Sequence, residues 1–184
     1  MLIVACGQAA AAQTAPNVAR SLPTTLAAAL ARDGCRIPAS PSELGPDSRS
    51  VIPHVAYRAD VRSSDRADWV VICERDARRH VLVFAEPVAS ESQPVLQLDI
   101  DWDPNDEGCD GWITMADSAW VRLAIGKERS QSGHQPAVPS ELAALHTGIV
   151  DSMCEGEDAH IRYWTGRRWI SLPAYWDEPG NGAR

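Results

Sequence analysis

The chain has 184 residues, 45% of them hydrophobic, and 25 acidic against 17 basic side chains, a formal charge of -8 at pH 7. That length supports one well-buried core rather than two. The acidic balance argues against nucleic-acid binding, which rests on clustered Lys and Arg releasing counterions from phosphates, and Lys127 is the only lysine. No run of about 18 apolar residues occurs, so no transmembrane helix is encoded.

In chain order, "LIVAC" ends at Cys6 and is followed by "GQAAAAQTAPNVARS", an Ala/Gln-rich stretch with no apolar periodicity. An aliphatic residue three places before the cysteine, a small one just before it and a small one after it resemble the lipobox of bacterial lipoproteins. That resemblance implies that Cys6 is the lipidated residue and that the Ala/Gln-rich stretch is a flexible tether. The rival reading is the remnant of a secretory signal cut within "AAAAQTA". Both place the domain outside the cytoplasm, in the periplasm or on a membrane. The expected organisation is a leader and tether over 1–20, one domain over 21–176 and a disordered tail over 177–184.

Ser21 to Arg32, "SLPTTLAAALAR", carries good helix formers, a Ser cap ahead of an early proline, and Gly34 just past its end, and it predicts a short helix. The Pro/Ser-rich residues 37–49 read as a linker. Val55, Tyr57, Ala59 and Val61 alternate with Ala56, Arg58, Asp60 and Arg62, the pattern of a half-buried strand. "DWVVICE" and "HVLVFAE" are nearly continuous apolar runs separated by "RDARR", which predicts two central strands joined by a polar hairpin tip. Arg75, Arg78 and Arg79 are then a solvated turn.

The acidic segment "LQLDIDWDPNDEGCDGW" from Leu96 to Trp112 is the stretch that most resembles chemistry. Leu96, Leu98, Ile100 and Trp102 alternate with Gln97, Asp99, Asp101 and Asp103, so a strand buries the first set and solvates the second. Asp99, Asp101 and Asp103 are the candidate ligands should a cation be held. The calcium-loop template fails, because its sixth position falls on Pro104, which cannot make the required glycine turn, and its twelfth on Asp110 in place of a bidentate Glu. "DSAWVRLAI" from Asp117 reads as a helix starting from an Asp cap, with a strand as the close alternative. "PSELAALHTGIVDSM" reads as short helical turns after Pro139. The closing "AHIRYW", "TGRR" and "WISL" form a hairpin.

The fold class expected is α+β, mainly antiparallel β-sheet with two or three short helices. With Cys6 consumed by lipid, Cys35, Cys73, Cys109 and Cys154 remain, an even number suited to two disulfides in an exported protein. The pairing expected is Cys35 with Cys73, pinning the helical segment to a central strand, and Cys109 with Cys154. No zinc spacing, nucleophile elbow, phosphate loop or dinucleotide fingerprint occurs, and no cofactor is called for. The histidines at 54, 80, 134, 146 and 160 each sit alone in sequence; the nearest to a cluster is His146 with Asp151 in "HTGIVD", which reads locally as a turn at Gly148 with a capping side chain. Seven Trp against one Phe is an unusual ratio. Trp is enriched at binding hot spots, while Trp69, Trp102 and Trp169 read as core fillers.

"DWVVICERDARRHVLVF", "HTGIVD" and "YWTGRRWISL", in this order and spacing, resemble a group of small exported bacterial proteins of uncharacterised function, over roughly 34–172. The first segment also resembles the strand pair of FG-GAP-type repeats, which bind calcium through an Asp-rich loop. Here "RSSDRAD" lacks the glycine-punctuated acidic pattern, so no ligand set carries over. What the resemblance implies is export and fold unity. The functional expectation is an exported, lipid-anchored envelope protein with a non-catalytic binding or structural role, its partner another envelope protein or a small ligand, with no nucleic acid and with the membrane reached only through the lipid. The alternative is a periplasmic hydrolase or calcium-binding module using residues 99–110 together with His146.

Expressed from its native locus, the protein is expected to fractionate with membranes, and Cys6→Ser to release it into the soluble envelope fraction. Recovery of the wild-type chain from the cytoplasm overturns the export reading.

Overall fold

A computed structural model describes residues 22–39, 50–52, 54–100, 112–131, 146–152 and 159–174. The elements in chain order are α1 (Thr24–Arg32), β1 (Ser50–Ile52), β2 (Ala56–Ala59), β3 (Asp68–Arg75), β4 (Arg78–Ala85), β5 (Leu96–Ile100), β6 (Trp112–Ala116), α2 (Ser118–Gln131), β7 (Gly148–Ser152), β8 (His160–Trp164) and β9 (Trp169–Pro173). The strands form two wholly antiparallel sheets in simple sequential order, β1 to β5 and β6 to β9. The α+β class expected from the sequence is the one observed.

Three apolar layers show how the pieces stack. Alternate residues of a strand point to opposite faces, and β3 sends Val71 and Cys73 to one side and Val70 and Ile72 to the other, all fully buried. The first set packs with Leu82 and Phe84 of β4 against Leu26, Ala29 and Leu30 of α1. The second set, with Val81 and Val83, meets Ile113, Met115 and Ile149 of the second sheet. The far face of that sheet, including Val150, Ile161 and Leu172, is covered by Val121, Ala124 and Ile125 of α2. The order of layers is helix, sheet, sheet, helix. Along β2, Ala56 packs toward α1 and Tyr57 toward the second sheet, while Arg58 stays in solvent as the alternation suggested and Ala59 is partly buried.

Local chemistry sets the boundaries. At the start of α1 the cap position is Pro23, with no side-chain cap bond. Its missing N–H costs nothing where the helix has no acceptor for it, and Ser21 lies outside the described residues. At the other end Gly34 takes φ +69°, and the Gly34 and Cys35 N–H groups donate to Ala31 and Leu30 at 3.1 and 2.9 Å, a Schellman close. The β3–β4 turn places Asp76 and Ala77 at φ 53° and 57°, the type I′ geometry that matches strand twist. Asp117 caps α2, accepting from the Trp120 N–H at 2.9 Å.

Immediately after α1 the chain is fastened to β3. Cys35 and Cys73 are bridged, with Cα atoms 5.3 Å apart, and Arg36 exchanges two backbone hydrogen bonds with Glu74 at 3.0 and 2.8 Å. Closing that loop of 38 residues stabilises the fold by about 4 kcal/mol in the chain-entropy model. The Glu74 carboxylate lies between Arg36 and Arg79, with Arg79 at 3.0 Å. Arg79 is therefore not part of a solvated turn: it is buried, 7% exposed, because it shares the inter-sheet face with a buried carboxylate, while Arg78 stays in solvent. Cys109 and Cys154 lie outside the described residues.

Residues 148–152 form strand β7, not the helical turns expected of them; "GIVDS" is a short apolar run that only its β6 and β8 partners decide. The sheets are also tied by hydrogen bonds, the Tyr57 hydroxyl donating to the Ile113 carbonyl at 2.7 Å and the Thr147 N–H to the Asp60 carbonyl at 3.0 Å.

Gly148 makes the tightest approach in the second sheet, since a Cβ there would lie 2.5 Å from Ile161 Cγ2 and 3.2 Å from Val121 Cγ2. Gly148→Ala is expected to lose about 1–3 kcal/mol by overpacking. Gly126→Ala, in α2 with nothing within 4 Å of the added Cβ, is expected to gain about 0.5–1 kcal/mol. Urea denaturation of the two variants checks both signs.

Candidate functional site

Residues 62–67, the last part of the connection from β2 to β3, form a loop closed on itself by a buried charge. Asp68, fully buried, accepts from the Arg62 backbone N–H at 3.0 Å and from Arg62 Nε and Nη2 at 2.8 Å each. At the crest, a hydrogen bond from the Ser63 hydroxyl and then one from its own backbone hold the Asp65 carboxyl below its usual value. The Arg66 side chain is 71% exposed.

Arg66 stands between two grooves. On one side, a groove of about 550 Å³ has Trp69 in its wall with Glu86, Pro87 and Val88. Glu86 is fixed by a two-point pair with Arg58 at 2.7 and 2.6 Å. That pair, ahead of a Trp69 hydrogen bond, lowers the Glu86 pKa. On the other side, a groove of about 520 Å³ lies between Trp164, Val95 and Leu96 and the polar residues Arg62, Asp65 and Arg66. A third cleft of about 460 Å³ sits where the sheets meet, between Asp60, Asp117, Thr147 and Met115. Asp60 there accepts from the Thr147 hydroxyl.

The residues singled out in the sequence fall elsewhere. Asp99, on β5, accepts from Gln97 at 2.9 Å and lies 2.8 Å from His80 Nδ1; Gln97 first and His80 second pull its carboxyl down. Asp101, Asp103 and Cys6 lie outside the described residues, and among the described residues no three His, Cys, Asp or Glu side chains gather as a metal site would need. The His80–Asp99 pair escaped sequence reasoning because the two are neighbours only through the β4–β5 register. The alternation in "HVLVF" and "LQLDI" already placed both on strands, and the register was the one missing step.

His146 and Asp151 do not form a functional pair. Asp151 is buried and bound by Arg162 Nε at 2.6 Å; burial raises its carboxyl and Arg162 offsets part of that. His146 is buried, stacked on Tyr163 with ring centroids 4.3 Å apart and planes at 7°. Burial pushes its imidazole below the ordinary value, against smaller raising effects from the backbone of Thr147 and Trp164 and from the charges of Asp60 and Asp68. None of these three grooves is lined by Asp99 or His146, and residues 101–110 lie outside the described residues. Trp69 and Trp169 do pack against the core, Trp69 also lining the first groove, and Trp164 lines the second; Trp102 lies outside the described residues. Comparison with protein-family models, curated proteins and solved structures finds no match.

His146 gives a pH dependence of defined sign. Its folded pKa lies below the unfolded value of 6.5, so below about pH 6.5 the unfolded chain takes up a proton that the folded chain refuses. Stability is expected to be full above that pH and to fall as pH drops toward the folded pKa. In His146→Phe, which keeps a ring against Tyr163, this slope should vanish even though the variant starts from a lower plateau. Urea midpoints between about pH 5 and 8 show whether the slope is lost.

Proposed function

We propose that the chain is an exported, lipid-anchored envelope protein whose domain acts as a non-catalytic binding module, with loop 62–67 and the two grooves beside it as the recognition surface. The observation that carries this reading is the placement of Arg66: exposed, on a loop held rigid by Arg62 and Asp68, and shared by two grooves that each have a tryptophan wall. An Arg side chain on a fixed loop, flanked by tryptophans held on strands, is the kind of arrangement from which hot spots are built.

The alternative enzymatic role finds less support, because the buried carboxylates Asp68, Glu74 and Asp151 are engaged in framework pairs with Arg62, Arg79 and Arg162. Export is supported by the Cys35–Cys73 bridge, a linkage that persists in oxidising compartments, by the lipobox-like "IVAC" ending at Cys6, and by the resemblance to small exported proteins. The anchor, on this reading, leaves the domain free to present its loop to a partner in the envelope.

A photo-crosslinking amino acid at position 66 is expected to give a discrete adduct in intact cells. The same group at Leu123, exposed on α2 behind the second sheet, should give none. Equal labelling at both positions, or none at either, would count against this surface.

A further inference from the structure

The groove on the Trp164 side carries more chemistry than its neighbour, and its side chains narrow the class of ligand. One wall is aromatic: Trp164 closes β8 and meets Trp169 of β9 in a T-shaped contact, centroids 5.5 Å apart and planes at 66°. Val95, 45% exposed, adds an apolar surface beside it. The facing wall supplies both kinds of hydrogen-bonding group. Arg62 is a donor fixed in place by its bonds to the buried Asp68, Arg66 is an exposed donor, and Asp65 is an acceptor oriented by Ser63 and kept ionised.

We propose that this groove is a saccharide subsite that takes a short stretch of a neutral glycan. The inference rests on the binding reading above and names the ligand class. A sugar ring presents an axial C–H face, whose slight positive charge is attracted by the negative face of an aromatic ring. Its hydroxyls each donate and accept, so neighbouring hydroxyls can bond an arginine and a carboxylate side by side. Other ligands fit less well. With Arg62 neutralised by Asp68 and Arg66 4.0 Å from Asp65, the wall carries no net charge that favours an ion of either sign, and a purely apolar ligand would desolvate three charged groups without replacing their hydrogen bonds. The groove has a volume of about 520 Å³, room for part of a short glycan.

The test is calorimetric titration of the full chain with three neutral tetrasaccharides, maltotetraose, cellotetraose and chitotetraose, and with tetragalacturonate as the anionic counterpart. At least one neutral sugar is expected to bind saturably, more tightly than tetragalacturonate, and to weaken about tenfold in Trp164→Ala and in Arg66→Ala. Arg66 is exposed and outside every strand, so that variant remains informative should Trp164→Ala fail to fold. Absence of binding by all three neutral sugars, preference for tetragalacturonate, or binding indifferent to Arg66→Ala overturns the proposal. A position-66 adduct to a protein, with no sugar bound, overturns the saccharide inference and leaves the binding module standing; loss of both the adduct and the sugar removes both.

Discussion

Burial of β3 and β4 on both faces is the constraint from which the architecture follows. A two-sided apolar sheet cannot rest against a single layer. Val71, Cys73, Leu82 and Phe84 require α1, while Val70, Ile72, Val81 and Val83 require a second sheet. That second sheet then has an apolar back of its own, Val150, Ile161 and Leu172, which requires α2. Each layer exists because the one before it left a hydrophobic face open, at roughly 25 cal/mol for every Å² so covered. The Cys35–Cys73 bridge and the Arg36–Glu74 backbone pair fasten the outermost helix where its last turn ends, so the stack is held at its edge by covalent as well as apolar means.

Such a stack leaves charged side chains on inward faces, and each one described has acquired a partner. Glu74 sits between Arg36 and Arg79, Asp151 against Arg162, Asp68 against Arg62. Pairs of this kind add little net stability over a well-packed apolar substitute, yet removing one member leaves an uncompensated buried charge worth about 3–5 kcal/mol. They therefore specify how the strands sit more than they stabilise them.

Much of the local structure was legible in the sequence, because it depends on residues close together. Gly34 after the first helix, the Asp117 cap, the two apolar runs around "RDARR" and the closing hairpin across "TGRR" are all signals within a few positions. The Cys35–Cys73 pairing was legible for a related reason: one cysteine followed a helix end and the other lay in a central strand. What was not legible depends on partners distant in sequence. "GIVDS" becomes a strand only beside β6 and β8, the Arg79 guanidinium meets Glu74 only across the hairpin, and His80 meets Asp99 only through the β4–β5 register. The loop before β3 belongs to the second kind. "RSSDRAD" reads as a polar connection, and nothing local shows that its last residue is fully buried.

That buried residue is what turns a polar connection into a surface with a definite shape. A six-residue loop free in solvent would lose conformational entropy on meeting a ligand, and the loss would weaken binding by an amount set by each side chain immobilised. Asp68 removes much of that loss in advance. Its carboxylate, out of water, has to be satisfied from within the loop, and it is satisfied by both the backbone and the guanidinium of Arg62. The stability of the sheet thereby supplies the order of the loop: β3 cannot bury its first residue without fixing the chain that leads into it. Arg66 and Asp65 are carried on that fixed segment between two tryptophans that belong to different sheets, Trp69 to the first and Trp164 to the second. A surface spanning both sheets keeps its geometry only while the apolar layer between them is intact, so the shape of that surface and the fold depend on the same packing of Val70, Val83 and Met115.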